Sequence, residues 1–234
     1  MNIGIVLSGG SGTRIGSEIP KQYLTVSGKP VISYCLETFI DHKKIDGLIV
    51  VCTQDWINFV EEIIGGFSGS KPIYFADAGI TRQDSIYNGL LKVEEKFQDK
   101  TEIVIIHDAA RPLVSAGLIT DCIDKCNEYD AVMPVVPAKD TIYRSADGKS
   151  VDSLLDRKEL WCGQAPEAFR FNPYLKIHKA ATPEQINSIN GSTEMAFRFG
   201  LNCTMIKGDP LNFKITTPED LISFTNIVCQ NEGI

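Results

Sequence analysis

The run from Leu7 to Leu24, LSGGSGTRIGSEIPKQYL, constrains this chain more than any other stretch. It follows a short apolar strand carried by Ile3, Ile5, Val6 and Leu7, and it places Gly9, Gly10, Gly12 and Gly16 with Arg14 and Lys21 in one turn. Glycines allow the backbone to fold tightly and to bring bare N–H groups against an anion. Arg14 adds a planar fork of donors for phosphate oxygens, and Lys21 adds a compact point charge. Open α/β sheets bind ligands at the carboxyl ends of their strands. The run therefore predicts a first parallel strand that ends in a phosphate cradle for a nucleoside triphosphate.

The better-known glycine loops do not fit. A P-loop requires Gly-Lys-Ser/Thr at its end, and Gly12 is followed by Thr13 and Arg14. The dinucleotide fingerprint requires a third glycine three places after the second, where this chain has Ile15, with Gly16 one place late. Pro20 also disfavours helix at Ile19, so the segment after Gly16 reads as extended loop.

Strand-like and helix-like runs alternate through the first 137 residues. Leu48 to Cys52 and Ile103 to Ile106 are short apolar runs, typical of strands covered on both faces. Val31, Cys35, Leu36, Phe39 and Ile40 share one helical face. Ile86, Leu90 and Val93 share another, and Leu118, Cys122 and Cys126 a third, ahead of a strand at Ala131 to Val136. This rhythm predicts a Rossmann-like, mostly parallel α/β sheet flanked by helices, with right-handed crossovers.

The rhythm breaks after Pro137. Residues 138–159, AKDTIYRSADGKSVDSLLDRKE, are polar and carry Asp147-Gly148 between two potential strands, which predicts a β-hairpin arm. Such an arm has little core of its own and is expected to pack on a second subunit. The fold resumes with Leu160 to Gln164, a helix around Tyr174 to Ala181 and a strand from Cys203 to Ile206. A last helix opens at Thr217, with Pro218 at its first position and Asp220 in place to complete a capping box. The 234 residues read as one domain with an arm.

Composition limits the partners. A formal net charge of −7 argues against a general binder of nucleic acid or of membrane surfaces. Phosphate ligands would depend on a few positioned cations. The seven cysteines show no zinc spacing and predict buried free thiols in a reducing cytoplasm. The opening IGIVL is too short for a signal peptide or a membrane span, so a cytoplasmic location is expected.

Four further clusters recur at strand ends and helix starts. HDAARP puts Asp108 and Arg111 after the strand IVII. DAGITRQDSI carries Gly79, Arg82, Asp84 and Ser85. Thr141 opens the arm and Asp156-Arg157 closes it, and Lys214 precedes the last helix. Each alone reads as a solvated charge or a helix-end residue; their joint placement at the sheet's carboxyl edge reads as a site. The histidines His42, His107 and His178 are too dispersed for a metal cluster, and His107 reads as a structural hydrogen-bonding residue.

The order of these pieces resembles the cytidylyltransferase family that includes the methylerythritol-phosphate and ribitol-phosphate cytidylyltransferases. The resemblance runs nearly end to end: the glycine loop with Arg14 and PKQYL, GxxRxDS at Gly79 to Ser85, HDAARP, DT in the arm, DR before LW, and KITTPEDL. It implies CTP and Mg²⁺, pyrophosphate release, and a homodimer interlocked through the arm. Arg14, Lys21 and Lys214 match the catalytic, phosphate-neutralising residues. Leu7, Ser8, Gly9, Gly10, Gly12, Gly79, Arg82 and Ser85 fall on the nucleotide side, with cytosine read near Ser8 and Gly79. Asp108 matches a nucleotide, acceptor or metal-proximal position. Arg111, Thr141 and Arg157 fall on the acceptor side, the last two reaching the neighbouring subunit's acceptor phosphate.

Departures lie on the acceptor side. The family usually reads Thr-Pro-Gln where this chain has Ala165, Pro166 and Glu167, and its Thr-Asp motif is represented by Gly191, Ser192, Thr193 and Glu194. Ile80 stands where methylerythritol enzymes tend to carry an acidic residue. Gly163-Gln164 resembles the ribitol branch and HDAARP the methylerythritol branch. On these residues the expected acceptor is a ribitol or glycerol phosphate of wall or capsule synthesis, with methylerythritol phosphate second. A sugar-1-phosphate nucleotidyltransferase using UTP or GTP shares the basic glycine loop, and a catalytically silent nucleotide-binding regulator is the reading from another class.

Overall fold

A computed structural model describes residues 1–10, 16, 17, 19–69 and 71–232. The chain runs β1 (Asn2–Leu7), β2 (Thr25–Val26), β3 (Lys29–Pro30), α1 (Val31–Asp41), β4 (Gly47–Cys52), α2 (Ile57–Gly65), β5 (Ile73–Asp77), α3 (Arg82–Phe97), β6 (Ile103–Asp108), α4 (Ala116–Lys125) and β7 (Ala131–Pro137). It continues with β8 (Tyr143–Arg144), β9 (Ser153–Leu154), β10 (Trp161–Gly163), β11 (Glu167–Arg170), α5 (Phe171–Ala180), α6 (Pro183–Asn187), α7 (Ser192–Arg198), β12 (Cys203–Lys207) and α8 (Pro218–Glu232).

The main sheet follows the order β10-β7-β11-β6-β1-β4-β5, with β12 on the other side of β7. Strands β6, β1, β4 and β5 run parallel, and so do β7 and β12. This is the expected α/β Rossmann-like sheet. One pairing differs from a simple alternation. β11 lies antiparallel between β6 and β7, pairing Glu167 with Ile106 and Ala168 with Val132. Its four residues fill the gap between two strands that are consecutive in the alternating part of the chain. They also carry Glu167 to the level of the carboxyl end of β6.

Alternation along the central strands divides the core. Val6, Leu48, Val50, Ile103 and Ile105 face one layer with α1, α2 and α4, whereas Ile3, Ile5, Ile49, Val51, Val104 and Ile106 face the other with α3, α5 and α7. Period-two side-chain direction turns each continuous apolar run into two buried faces. A smaller cluster of Val26, Val31, Ile215, Phe224 and Val228 docks α8 over the β2–β3 ribbon and the start of α1. The predicted cap of α8 is formed: the Asp220 carboxylate accepts from the Thr217 N–H at 2.9 Å, and the Asp220 N–H donates to the Thr217 hydroxyl at 3.4 Å.

The arm is the expected β-hairpin, with Asp147-Gly148 between its two strands. Tyr143 and Arg144 pair with Leu154 and Ser153, and residues 145–152 bridge them. The Asp147 carboxylate closes this excursion by accepting from the N–H groups of Lys149 and Ser150, both at 2.8 Å. The expectation of buried thiols holds for Cys35, Cys52, Cys122 and Cys126, whereas Cys162 is exposed and Cys203 and Cys229 are half-buried. Cys35, Cys122 and Cys126 belong to the core layer of α1, α2 and α4, and Cys52 ends the buried strand β4; Cys162 sits on β10, all of whose residues are exposed. Among the described residues no helix is long and apolar enough to cross a membrane.

On α5, His178 is 2 % exposed and both ring nitrogens lack a hydrogen-bond partner among the described residues. Its ring lies 4.7 Å from Tyr174 and 6.0 Å from Tyr87. Burial pushes its pKa down from 6.5 to about 4. The unfolded chain therefore binds the proton first as pH falls, so this stability is present above pH 6.5 and is lost progressively towards pH 4. Between pH 7.5 and 5 the unfolding free energy should fall by about 2 kcal/mol more in the native chain than in His178→Phe. Urea titrations of both proteins at the two pH values measure the difference.

Candidate active site

The carboxyl ends of β1 and β6 and the start of α3 enclose a cavity of about 500 Å³. Leu7, Gly9, Gly10, Lys21, Gln22, Gly79, Ile80, Thr81, Arg82, Ser85, Asp108, Ala110 and Lys214 line it. Close backbone approach shapes two walls. A Cβ on Gly9 would stand 2.3 Å from the Ala78 Cβ, and one on Gly79 would stand 2.2 Å from the Asp84 Cβ. Only glycine lets the loop after β1 meet the loop after β5 at Gly9, and lets that second loop meet the first turn of α3 at Gly79.

The loop after β1 is held from below. Gln22 donates through Nε2 to the Ser8 carbonyl at 2.7 Å and the Gly10 carbonyl at 2.8 Å. Tyr23 donates to the Ser8 carbonyl at 3.1 Å and accepts from the Ser8 hydroxyl at 2.8 Å. These residues follow Pro20, whose extended backbone leads into a 3₁₀ turn at Lys21–Tyr23. Stacking of Tyr23 on Trp56, with ring centroids 4.3 Å apart, fixes the turn against the core and leaves Lys21 on the cavity wall.

On the opposite wall, Thr81 and Asp84 form a capping box at the start of α3. This fixes the first turn, from which Arg82 and Ser85 reach the cavity. Ser85 donates to the Thr81 carbonyl at 3.1 Å and accepts from the Gly79 N–H at 2.9 Å.

Asp108 stands at the centre. Its Oδ1 accepts from Arg82 Nε at 3.3 Å, its Oδ2 accepts from Lys214 Nζ at 3.0 Å, and Arg111 Nε lies 3.8 Å from Oδ2. Burial opposes ionisation of this carboxyl, but Arg82, Lys214 and Arg111 together hold it well below the usual carboxylate range. Burial likewise works against the Arg82 charge, and the Asp108 and Glu167 carboxylates outweigh it, so the guanidinium pKa is raised. At Arg111 burial wins and the pKa falls. Arg111 donates through Nη1 to the Asn212 carbonyl at 2.7 Å, and the Ile215 N–H donates to the Ala110 carbonyl at 2.8 Å. These bonds dock the 208–215 segment beside β6 and bring Lys214 to Asp108. His107 is buried and bonded through Nε2 to the Arg111 carbonyl at 2.9 Å, the structural role expected of it.

Of the residues expected at the site, Leu7, Gly9, Gly10, Lys21, Gly79, Arg82, Ser85, Asp108 and Lys214 line one cavity. Arg14 and Gly12 lie outside the described residues. Ser8 points inward, 2 % exposed, with its N–H given to the Val51 carbonyl at 2.7 Å; the Gly79 N–H is taken by Ser85. Of the backbone groups near Ser8 and Gly79, these two N–H groups are therefore engaged within the fold. Arg111 supports Asp108 from behind the wall. Within the single chain Thr141 and Arg157 do not line the cavity; they sit on the exposed arm, where Arg157 donates to the Lys139 carbonyl at 2.6 Å.

Sequence reasoning missed Gln22 as a support, although it stands in the quoted PKQYL. It noticed Glu167 only as a departure. Among the described residues no group of three or more His, Cys, Asp or Glu side chains could hold a metal, and Asp108 is the one carboxylate on the cavity wall. A single carboxylate already shared by Arg82, Lys214 and Arg111 is not a preformed protein cage for a metal.

Comparison with known proteins places this geometry. The family model described as IspD, 2-C-methyl-D-erythritol 4-phosphate cytidylyltransferase, matches residues 3–230. The chain belongs to this cytidylyltransferase family. A ribitol-5-phosphate cytidylyltransferase of Vibrio parahaemolyticus is 32% identical across 100% of this chain and 98% of its own. A 2-C-methyl-D-erythritol 4-phosphate cytidylyltransferase of Clostridium beijerinckii is 38% identical across 93% of this chain and 94% of its own. Among solved structures, the 4-diphosphocytidyl-2C-methyl-D-erythritol synthase of Anaerococcus prevotii superposes with a TM-score of 0.82 at 26% identity, covering 98% of this chain and 96% of that one. The chain is thus a CTP-dependent nucleotidyltransferase of the family, and the cavity is its candidate active site.

Replacing Asp108 with asparagine removes the charge that three cations share. Breaking a buried ion pair from one side is costly because it strands the remaining charge, so Asp108→Asn should lower stability by about 3 kcal/mol. Urea unfolding at pH 7 checks this, and an unchanged midpoint would show that the cations do not depend on Asp108.

Proposed function

We propose that this chain transfers CMP from CTP to the phosphate of 2-C-methyl-D-erythritol 4-phosphate, releasing pyrophosphate. The observation that carries a phosphate-to-phosphate reaction is the cavity wall itself. Arg82 and Lys214 pair with one carboxylate, and Lys21 lines the same cavity beside a glycine loop. An acceptor phosphate monoester is already anionic near neutral pH, so no general base is needed. Two anions must be brought together, and charge must be stabilised as pyrophosphate leaves in line. Such catalysis is positioning plus electrostatics. Lys21 and Lys214 would neutralise the phosphates, with Arg14 added from the glycine loop. Mg²⁺ carried by the nucleotide would be held at Asp108 and would neutralise further charge on the phosphates.

The acceptor named here differs from the one the sequence put first. The description of the family model and the 38% identical relative from C. beijerinckii support methylerythritol phosphate better than a ribitol or glycerol phosphate. Ribitol 5-phosphate is the second reading, favoured by the V. parahaemolyticus relative that matches end to end. A homodimer is part of the same proposal. The arm exposes Tyr143, Val151, Leu154 and Leu155, apolar surface that a second subunit would cover, and Thr141 and Arg157 would then meet the partner's acceptor phosphate.

A pyrophosphate-release assay with CTP and a panel of methylerythritol, ribitol and glycerol phosphates tests the reading. Methylerythritol phosphate should be turned over best, and CTP should be used well ahead of UTP, GTP and ATP. Lys21→Ala and Lys214→Ala should each lower kcat by about 10²–10³, the cost of removing one donor to developing charge. Preference for ribitol phosphate would move the assignment to the second reading. Efficient use of UTP or GTP with a sugar 1-phosphate would overturn it, and saturable CTP binding without turnover of any acceptor would favour a silent regulator.

A further inference from the structure

Arg82 is held at the cavity wall by more than Asp108. Its Nη1 donates to the Ser192 hydroxyl at 2.8 Å, and its Nη2 lies 3.5 Å from Glu167 Oε2. The Glu167 side chain is 8% exposed and does not line the cavity, so it is not placed to touch a ligand. Its other oxygen, Oε1, accepts from the Thr193 hydroxyl at 2.7 Å and the Thr193 N–H at 3.0 Å. The carboxylate thus has one oxygen fixed to the first turn of α7 and the other turned to the guanidinium. The neighbouring Tyr174 hydroxyl donates to the Ser192 carbonyl at 3.2 Å and secures the same turn from the core.

β11 makes this arrangement possible. Its antiparallel insertion sets Glu167 opposite Ile106, two residues before Asp108, so two carboxylates approach Arg82 from adjacent strands. Side chains at one sheet register are fixed by backbone pairing, whereas Arg82 is long and partly exposed at 27 %. A guanidinium with donors committed in three directions loses little further freedom when an anion arrives.

We infer that Glu167 is a positioning residue. Together with Ser192 and Thr193 it holds the Arg82 guanidinium on the cavity wall in the orientation that meets nucleotide phosphate. The inference rests on the proposed use of this cavity for CTP. It adds a residue that acts from outside the cavity, through Arg82.

A double-substitution cycle tests it. CTP affinity is measured by titration calorimetry for the native chain, Glu167→Ala, Arg82→Ala and the pair, and arginine side-chain nitrogen NMR follows Arg82, its signal assigned by its loss in Arg82→Ala. Glu167→Ala should weaken CTP binding about three- to tenfold and speed rotation of the Arg82 guanidinium. It should add less than twofold once Arg82 is already alanine, because residues acting through one another are not additive. Glu167→Gln keeps the acceptor towards Thr193 and guards against loss of folding; it sets an amide donor against the Arg82 guanidinium, so it should speed Arg82 rotation and weaken CTP binding as Glu167→Ala does. Full additivity of the two alanine substitutions, or unchanged Arg82 rotation in Glu167→Ala, overturns the inference. Failure of the native chain to bind CTP would instead refute the use of the cavity, and the Arg82 signal would still decide whether Glu167 restrains it.

Discussion

The site depends on one carboxylate shared by three cations. Asp108 ends β6 deep in the sheet, and Arg82, Arg111 and Lys214 reach it from the start of α3, the turn after β6 and the approach to α8. Those elements are far apart in sequence. Without the negative centre, like charges would repel one another at close range, and none would have a reason to remain partly desolvated. With it, Arg82 and Lys214 are held on the cavity wall and Arg111 behind it, and the wall's donors would need little rearrangement to meet a phosphate. Preorganisation of this kind is the main way a protein stabilises developing charge on phosphate.

This arrangement also reconciles an acidic chain with an anionic ligand. The formal net charge is −7, but the cavity wall carries Lys21, Arg82 and Lys214 against a single wall carboxylate. Local placement, not overall charge, determines what binds. The supporting bonds are short-range: Gln22 and Tyr23 hold the loop after β1, and Thr81 and Asp84 cap α3. Each fixes backbone, so the charged groups inherit their positions from the fold.

Much of this was legible in the sequence. The central strands could be read because continuous apolar runs mark strands buried on two faces, and the cavity residues because glycine, arginine, lysine and aspartate recur where such strands end. β11 was not legible as an antiparallel insert. Its four residues, EAFR, carry no period strong enough to give a direction, and their pairing with β6 and β7 is a tertiary event. Gln22 and Glu167 escaped notice as supports for a related reason: a buried amide or carboxylate becomes informative only when its partners are known. The hairpin of the arm was legible from Asp147-Gly148 between two polar strands; the loop that the Asp147 side chain builds there was not, because its bonds to the Lys149 and Ser150 N–H groups appear only in the folded chain.

The central claim is that the wall around Asp108 receives the nucleotide. Amide hydrogen exchange measured with and without saturating CTP and Mg²⁺ tests it most directly. Slowed exchange is expected in peptides spanning residues 7–10, 79–85, 108–111 and 213–215, which meet at this cavity. Protection confined to other surfaces, such as the groove lined by Thr38, His42 and Val114, would contradict it.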